Sequence, residues 1–147
     1  MPASPVEICA TALIKIGARP VTSLEGDTAE AACSRQLYPM VRDALLSAHP
    51  WSFTLTQVDL VAEAEPPVAD FAYRFAFPSD HLRTVSVGTR GSGRGLAYRV
   101  QGLGIVCNAQ AITLSYQRRV DESELPAFFI PVLVARLAAE LCIPLTE

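Results

Sequence analysis

Apolar residues recur at helical spacing from the start of the chain, with Ile8, Cys9, Ala12, Leu13 and Ile16 on one face. Ser4-Pro5-Val6-Glu7 opens that helix. Ser4 suits the cap, Pro5 the first helical position, and Glu7 the return arm of a capping box. Gly17 ends it and Pro20 blocks resumption. A second helix should start after Asp27, its expected N-cap, and run to about Ala48. Its expected buried stripe is Ala29, Ala32, Cys33, Leu37, Met40, Val41, Ala44 and Leu45, with Glu30, Ser34, Arg35, Arg42 and Asp43 outward. Pro39 falls inside it, where a missing N–H predicts a kink.

The period changes at His49-Pro50-Trp51. Phe53 to Thr56 alternates as a half-buried strand, and Val58 to Leu60 resumes after a phase slip at Gln57 that reads as a bulge. Phe71, Tyr73, Phe75 and Phe77 alternate on one face after a loop containing Pro66-Pro67. Leu82–Val87, Ala97–Gln101, Gly104–Asn108 and Ala111–Tyr116 read as further short strands, with a tight turn at Gly102-Leu103-Gly104. A last helix from Pro126 or Pro131 should bury Phe129, Val132, Leu133, Leu137 and Leu141, and stop at Pro144.

This order predicts an α+β fold. It is an antiparallel helical bundle of N- and C-terminal helices (about 4–17, 28–48 and 127–143) with a small antiparallel β-region (about 53–119) inserted, in one domain over 1–147.

The length of 147 residues suits one core, and 50% apolar against 18% charged residues argues against disorder. A net charge of -3 gives no global attraction to nucleic acid. The N-terminus lacks a basic region before an apolar stretch, and no run approaches a bilayer span, so a soluble protein made inside the cell is expected. Cys9, Cys33, Cys107 and Cys142 are scattered without a CxxC pair. They read as reduced core thiols, ahead of disulfides and of metal binding.

Several of these fragments, in order, resemble one family. They are Ala12-Leu13-Ile14-Lys15-Ile16-Gly17, Val21-Thr22-Ser23-Leu24, Ala31-Ala32-Cys33, Tyr38-Pro39 and Arg42-Asp43-Ala44-Leu45-Leu46. His49-Pro50-Trp51-Ser52-Phe53, Phe77-Pro78-Ser79-Asp80-His81-Leu82-Arg83, Tyr116-Gln117-Arg118-Arg119-Val120 and Leu137-Ala138-Ala139-Glu140-Leu141 follow. The succession resembles the tail tubular protein A family of short-tailed phages and the head-to-tail adaptors of other tailed phages and gene transfer agents. The resemblance spans nearly the whole chain.

It implies a homo-oligomeric, dodecameric ring beneath the portal protein, joined below to a tail or stopper protein. DNA would pass through the lumen without sequence-specific binding. The setting implied is the neck of a virion or phage-like particle assembled in the bacterial cytoplasm, with no membrane, cofactor or enzymatic activity. Pro39, Trp51 and Phe53 belong to the pattern as a structural joint. Family chains commonly continue past the position of Pro144-Leu145-Thr146-Glu147 into an arm that docks on the portal, a segment not among these residues.

Trp51 reads first as core and second as an interface anchor. Arg90 and Arg94 sit on a flexible glycine-rich stretch, Gly88 to Gly95, read as a solvated hairpin tip or as a segment that orders against a neighbouring ring. It lacks the Lys-Ser/Thr ending of a phosphate-binding loop. Arg118 and Arg119 precede Asp121, Glu122 and Glu124, a local ion cluster or a set of contacts between subunits. The alternative function is a DNA-binding accessory module using Arg90, Arg94, Arg118 and Arg119. Asp80, His81 and Arg83 lack a nearby nucleophile motif, so no catalytic residues are assigned.

Overall fold

The computed structural model describes residues 3–146. Met1, Pro2 and Glu147, the ends of the expected 1–147 domain, lie outside the described residues. The chain divides into two compact units, one of residues up to His49 and from Val120 onward, the other Pro50–Arg119.

The first unit contains α1 (Pro5–Lys15), α2 (Ala29–Ser47) and α3 (Phe129–Leu145), with a 3-10 turn at Glu122–Glu124. Ser4 and Glu7 form the capping box, Glu7 N–H donating to Ser4 Oγ at 3.2 Å and Ser4 N–H to Glu7 Oε2 at 3.1 Å. At the other end, Gly17 takes a φ of 77°. Gly17 N–H donates to the Ile14 carbonyl and Ala18 N–H to that of Leu13, the paired bonds of a Schellman motif. Ile8, Cys9, Ala12 and Leu13 are buried, and α3 packs against both α1 and α2 with Phe129, Leu133, Leu137 and Leu141 buried.

Helix α2 departs from the expectation. Thr28, not Asp27, caps it, accepting from Ala31 N–H at 3.2 Å. Its buried face is Ala31, Ser34, Tyr38, Val41 and Leu46, while Met40 is 63% exposed. Of the expected stripe Val41 is buried and Cys33, Leu37 and Leu45 are half-buried, but Ala29, Ala32, Met40 and Ala44 are exposed, and Ser34, expected outward, is buried. Small Ala31 and Ser34 admit close helix packing, and Tyr38 turns inward because its hydroxyl has a partner there. The helix continues through Pro39, which lies on an exposed side. Water can satisfy the carbonyl one turn earlier, deprived of its helical donor. In α3, Val132 is exposed rather than buried, and the helix includes Pro144 in its last turn.

The second unit opens with a 3-10 turn, Ser52–Thr54, followed by β1 (Leu55–Val61), β2 (Tyr73–Ala76), β3 (His81–Thr89), β4 (Arg99–Gln101), β5 (Gly104–Cys107) and β6 (Ala111–Arg118). Two three-stranded antiparallel sheets result, ordered β1-β6-β3 and β2-β5-β4. Phe75 and Ile105 from one sheet join Val87, Ile112, Leu114 and Tyr116 from the other in a single buried cluster. Gln101 pairs with Gly104, leaving Gly102-Leu103 as a two-residue turn with Gly102 at φ 60°. A glycine with positive φ in the first turn position matches the right-handed strand twist.

The expected fold class is therefore corrected. The molecule is not a helical bundle with a small inserted β-region. It has helices near both ends and in between, and a sheet-rich part of six strands with its own core. Reading the strands one by one hid how much apolar surface they bury jointly.

Local strand expectations change as well. Phe53 lies in the 3-10 turn, and the strand begins two residues later. Trp51 is half-buried rather than core, its ring centre 6.0 Å from that of Phe53. Strand β1 pairs with β6 without interruption through Gln57. The register shifts occur in β3 instead, at Leu82 and Val85, each an extra residue against β6. No described helix is long and apolar enough to cross a membrane.

Candidate functional site

The glycine-rich stretch turns out to be fastened down. Gly88 and Gly95 form a β-bridge, and Leu96 N–H donates to the Val87 carbonyl at 3.0 Å. Between them the chain folds over one face of the β1-β6-β3 sheet. Ser86 and Ser115 both donate to the Gly93 carbonyl, at 2.7 and 3.1 Å, and Gly91 N–H donates to Thr113 Oγ1 at 2.9 Å. Gln57 Nε2 reaches Ser115 Oγ at 2.9 Å. The flexible tether expected from composition is thus corrected to a loop ordered on its own sheet.

Glycine is required here by contact. A Cβ on Gly88 would collide with the backbone nitrogen of Arg94, and one on buried Gly93 would come within 2.6 Å of Gln57 Nε2.

This geometry separates the two arginines of the loop. Arg90 pairs with Asp59 at 3.4 Å, and Asp59 also accepts from Thr113 Oγ1 at 2.6 Å. The Thr113 hydroxyl first, then Arg90, holds the Asp59 carboxyl below its ordinary pKa. Arg94 is exposed beside a shallow trough shared with Gln57, Ser86 and Ser115. One guanidinium is thereby matched by a carboxylate and the other faces solvent, a mixed surface rather than a phosphate-binding stripe.

Arg118 ends β6 opposite His81, and Arg119 N–H donates to the Asp80 carbonyl at 2.7 Å. Glu122 lies in the helical unit, turned towards α2. It accepts from Tyr38 Oη at 2.8 Å and from Arg42 at 3.1 Å, and Arg42 also meets Asp43 at 3.0 Å. Burial would raise the Glu122 pKa, but the Tyr38 and Arg42 hydrogen bonds outweigh it and the result is a lowered value. Burial first, and then Glu122, push the Tyr38 phenol far up. Asp121 is exposed just ahead of the turn.

Tyr38 and Arg42 were missed as partners of Glu122. Their spacing of four along α2 signalled a shared face, but the contact bridges 80 residues of sequence. Asp59, Thr113 and Ser115 were missed as loop anchors for the same reason. The joint residues Pro39, Trp51 and Phe53 are distributed between an exposed helix position and a half-buried turn.

Two apolar recesses flank α3 in the helical unit. One, about 350 Å³, lies against α2 at Leu37, Met40, Ala44 and Leu45; the other, about 280 Å³, lies against α1 at Ile8, Thr11, Ile130 and Val134. In the β-unit, Phe77 stacks on His81 with centres 3.7 Å apart and planes 6° from parallel. His81 Nε2 lies 2.8 Å from Thr84 Oγ1, and Tyr116 Oη donates to Asp80 at 2.9 Å. A recess of about 670 Å³ opens beside this stack. Among the described residues, no group of three or more His, Cys, Asp or Glu is placed to hold a metal ion.

No protein-family model matches this chain, and no curated protein matches it.

Proposed function

We propose that this protein is a structural head-to-tail adaptor of a phage or phage-like particle. Copies form a dodecameric ring beneath the portal, join it to the next tail or stopper protein, and surround the path of exiting DNA. The observation that carries the reading is the pair of different apolar recesses on either side of α3, one of them lined by Met40, which is 63% exposed. A ring of many copies needs two unlike faces per subunit, since only heterologous contacts repeat around an axis.

The resemblance of the Tyr38-Pro39, His49-Pro50-Trp51 and Phe77–Arg83 fragments to adaptor sequences supplies the kind of ring. A net charge of -3 per copy makes the assembled ring strongly negative, which suits a conduit that does not grip the duplex. Arg90 paired to Asp59 fits the same picture.

The test is electron microscopy of the purified protein mixed with the portal of the same particle. Rings seated on the portal are the expected result. Folded protein and folded portal that remain separate would overturn the reading.

A further inference from the structure

The β-unit carries a stiff protruding loop at one end of β2 and an open aromatic recess at the other. The loop joins β1 to β2, and both its feet are held. Glu63 pairs with Arg74 at 3.1 Å and its N–H donates to the Arg74 carbonyl at 2.7 Å. Asp70 pairs with Arg99 at 3.3 Å, and that guanidinium lies 5.3 Å from the centre of the Phe71 ring. Asp70 has a φ of 72°, a left-handed conformation that persists only where the surroundings enforce it. Between these feet stands Glu65-Pro66-Pro67-Val68, and Val68 has 104% relative exposure. Two consecutive prolines, between bends at Glu65 and Val68, fix the backbone at the tip, so it loses little freedom on docking.

The recess begins where β2 ends. Phe77, His81 and Tyr98 give it aromatic walls, Val100 and Leu103 are exposed on its other side, and Arg83 is an exposed cation along it. The close Phe77–His81 stack makes one wall rigid.

We infer that the Glu65–Val68 tip of one copy docks into this recess of the next copy. Proline-rich extended segments fit aromatic-lined grooves. Glu65 complements Arg83 in charge. Loop and recess also lie at opposite ends of the same strand, so the contact is head-to-tail and leaves a free tip and a free recess for further copies. The exposure of Val68 shows that a copy does not fill a recess of its own. The inference takes the ring of like subunits from the proposed function and assigns one of its contacts.

Cysteine cross-linking tests it. Val68→Cys and Leu103→Cys are combined in one chain, in a background with Cys33→Ala and Cys142→Ser, and oxidised with and without the portal. The expected result is a ladder of covalent oligomers that neither single substitution produces beyond a dimer. Arg83→Glu should weaken the ladder by about tenfold, and Glu65→Arg in the same chain should restore it. Rings visible on the portal without a ladder would overturn this contact and leave the adaptor reading standing. A ladder without rings would support the contact and count against the portal. Neither rings nor ladder would overturn both.

Discussion

Tyr38 and Arg42 converge on one oxygen, Glu122 Oε1, at 2.8 and 3.1 Å. The two donors lie one turn apart on α2, and the acceptor belongs to the 3-10 turn that precedes α3. Arg42 and Glu122 side chains are 17% and 12% exposed, so little water screens the pair. Glu122→Ala takes the acceptor from Tyr38 and leaves Arg42 with Asp43 alone, and should cost about 2–3 kcal/mol. Tyr38→Phe keeps the ion pair and should cost about 1 kcal/mol. Urea denaturation measures both. Equal losses, or none, would show that the shared acceptor does not organise this turn.

Stability should fall on acidification in two steps. His81 has a folded pKa below the ordinary value because burial disfavours its charged form, against smaller opposing effects of a backbone hydrogen bond and then of Asp80. The unfolded chain therefore takes up this proton first, and stability declines as pH drops through about 6.5. Glu122 also has a lowered folded pKa, so its contribution is present above the unfolded carboxylate value and is lost as pH falls through the folded one. His81→Phe keeps a ring against Phe77 and should flatten the upper step of melting temperature against pH. Glu122→Gln should reduce the lower step, to which Asp59 also contributes. A His81→Phe profile that still shows the upper step would assign it to another group.

The glycine-rich loop gives a graded test. Gly88→Ala drives a methyl into the Arg94 backbone, which cannot yield without losing the loop's bonds, and should cost about 3 kcal/mol. Gly91 has a φ of 90° and open space around its Cβ position. Gly91→Ala should therefore cost only the left-handed strain, about 1–2 kcal/mol. Chemical denaturation of the two variants would rank them. The reverse order would mean that the loop is not laid on the sheet.

The same loop shows how far sequence reasoning reached. Its glycines and arginines were visible, and so was the absence of a phosphate-binding pattern. What fastens them was not, because Asp59, Thr113 and Ser115 come from strands distant in sequence. Local signals were legible where the physics is local. The Ser4–Glu7 capping box and the Gly17 ending of α1 depend on residues within one turn. The face of α2 was misread because Ser34 and Tyr38 are buried for tertiary reasons. The scale of the β-unit was misread because Phe75, Ile105, Ile112 and Leu114 make one core only once two sheets form. The bulges fell at Leu82 and Val85 of β3, whereas β1 alternates without a break: the apparent slip at Gln57 arises because Leu55 is exposed and Thr56 turns to the more buried face.

Met40 offers the sharpest separation of folding from assembly. It lies at the recess between α2 and α3 and is 63% exposed, so the isolated chain gains little from it. Met40→Gln keeps an unbranched side chain with good helix propensity, and an exposed substitution of this kind should change stability by less than about 0.5 kcal/mol. In a ring whose subunits use that recess, each contact loses an apolar anchor and gains an amide to desolvate. The loss repeats at every interface around the ring. Thermal melting should therefore be unchanged while ring formation on the portal falls steeply. The two measurements must be made on the same preparation, so that a loss of rings is not a loss of fold. Unchanged rings would remove this recess from the subunit contacts, and a lowered melt would mean that Met40 supports the helical core.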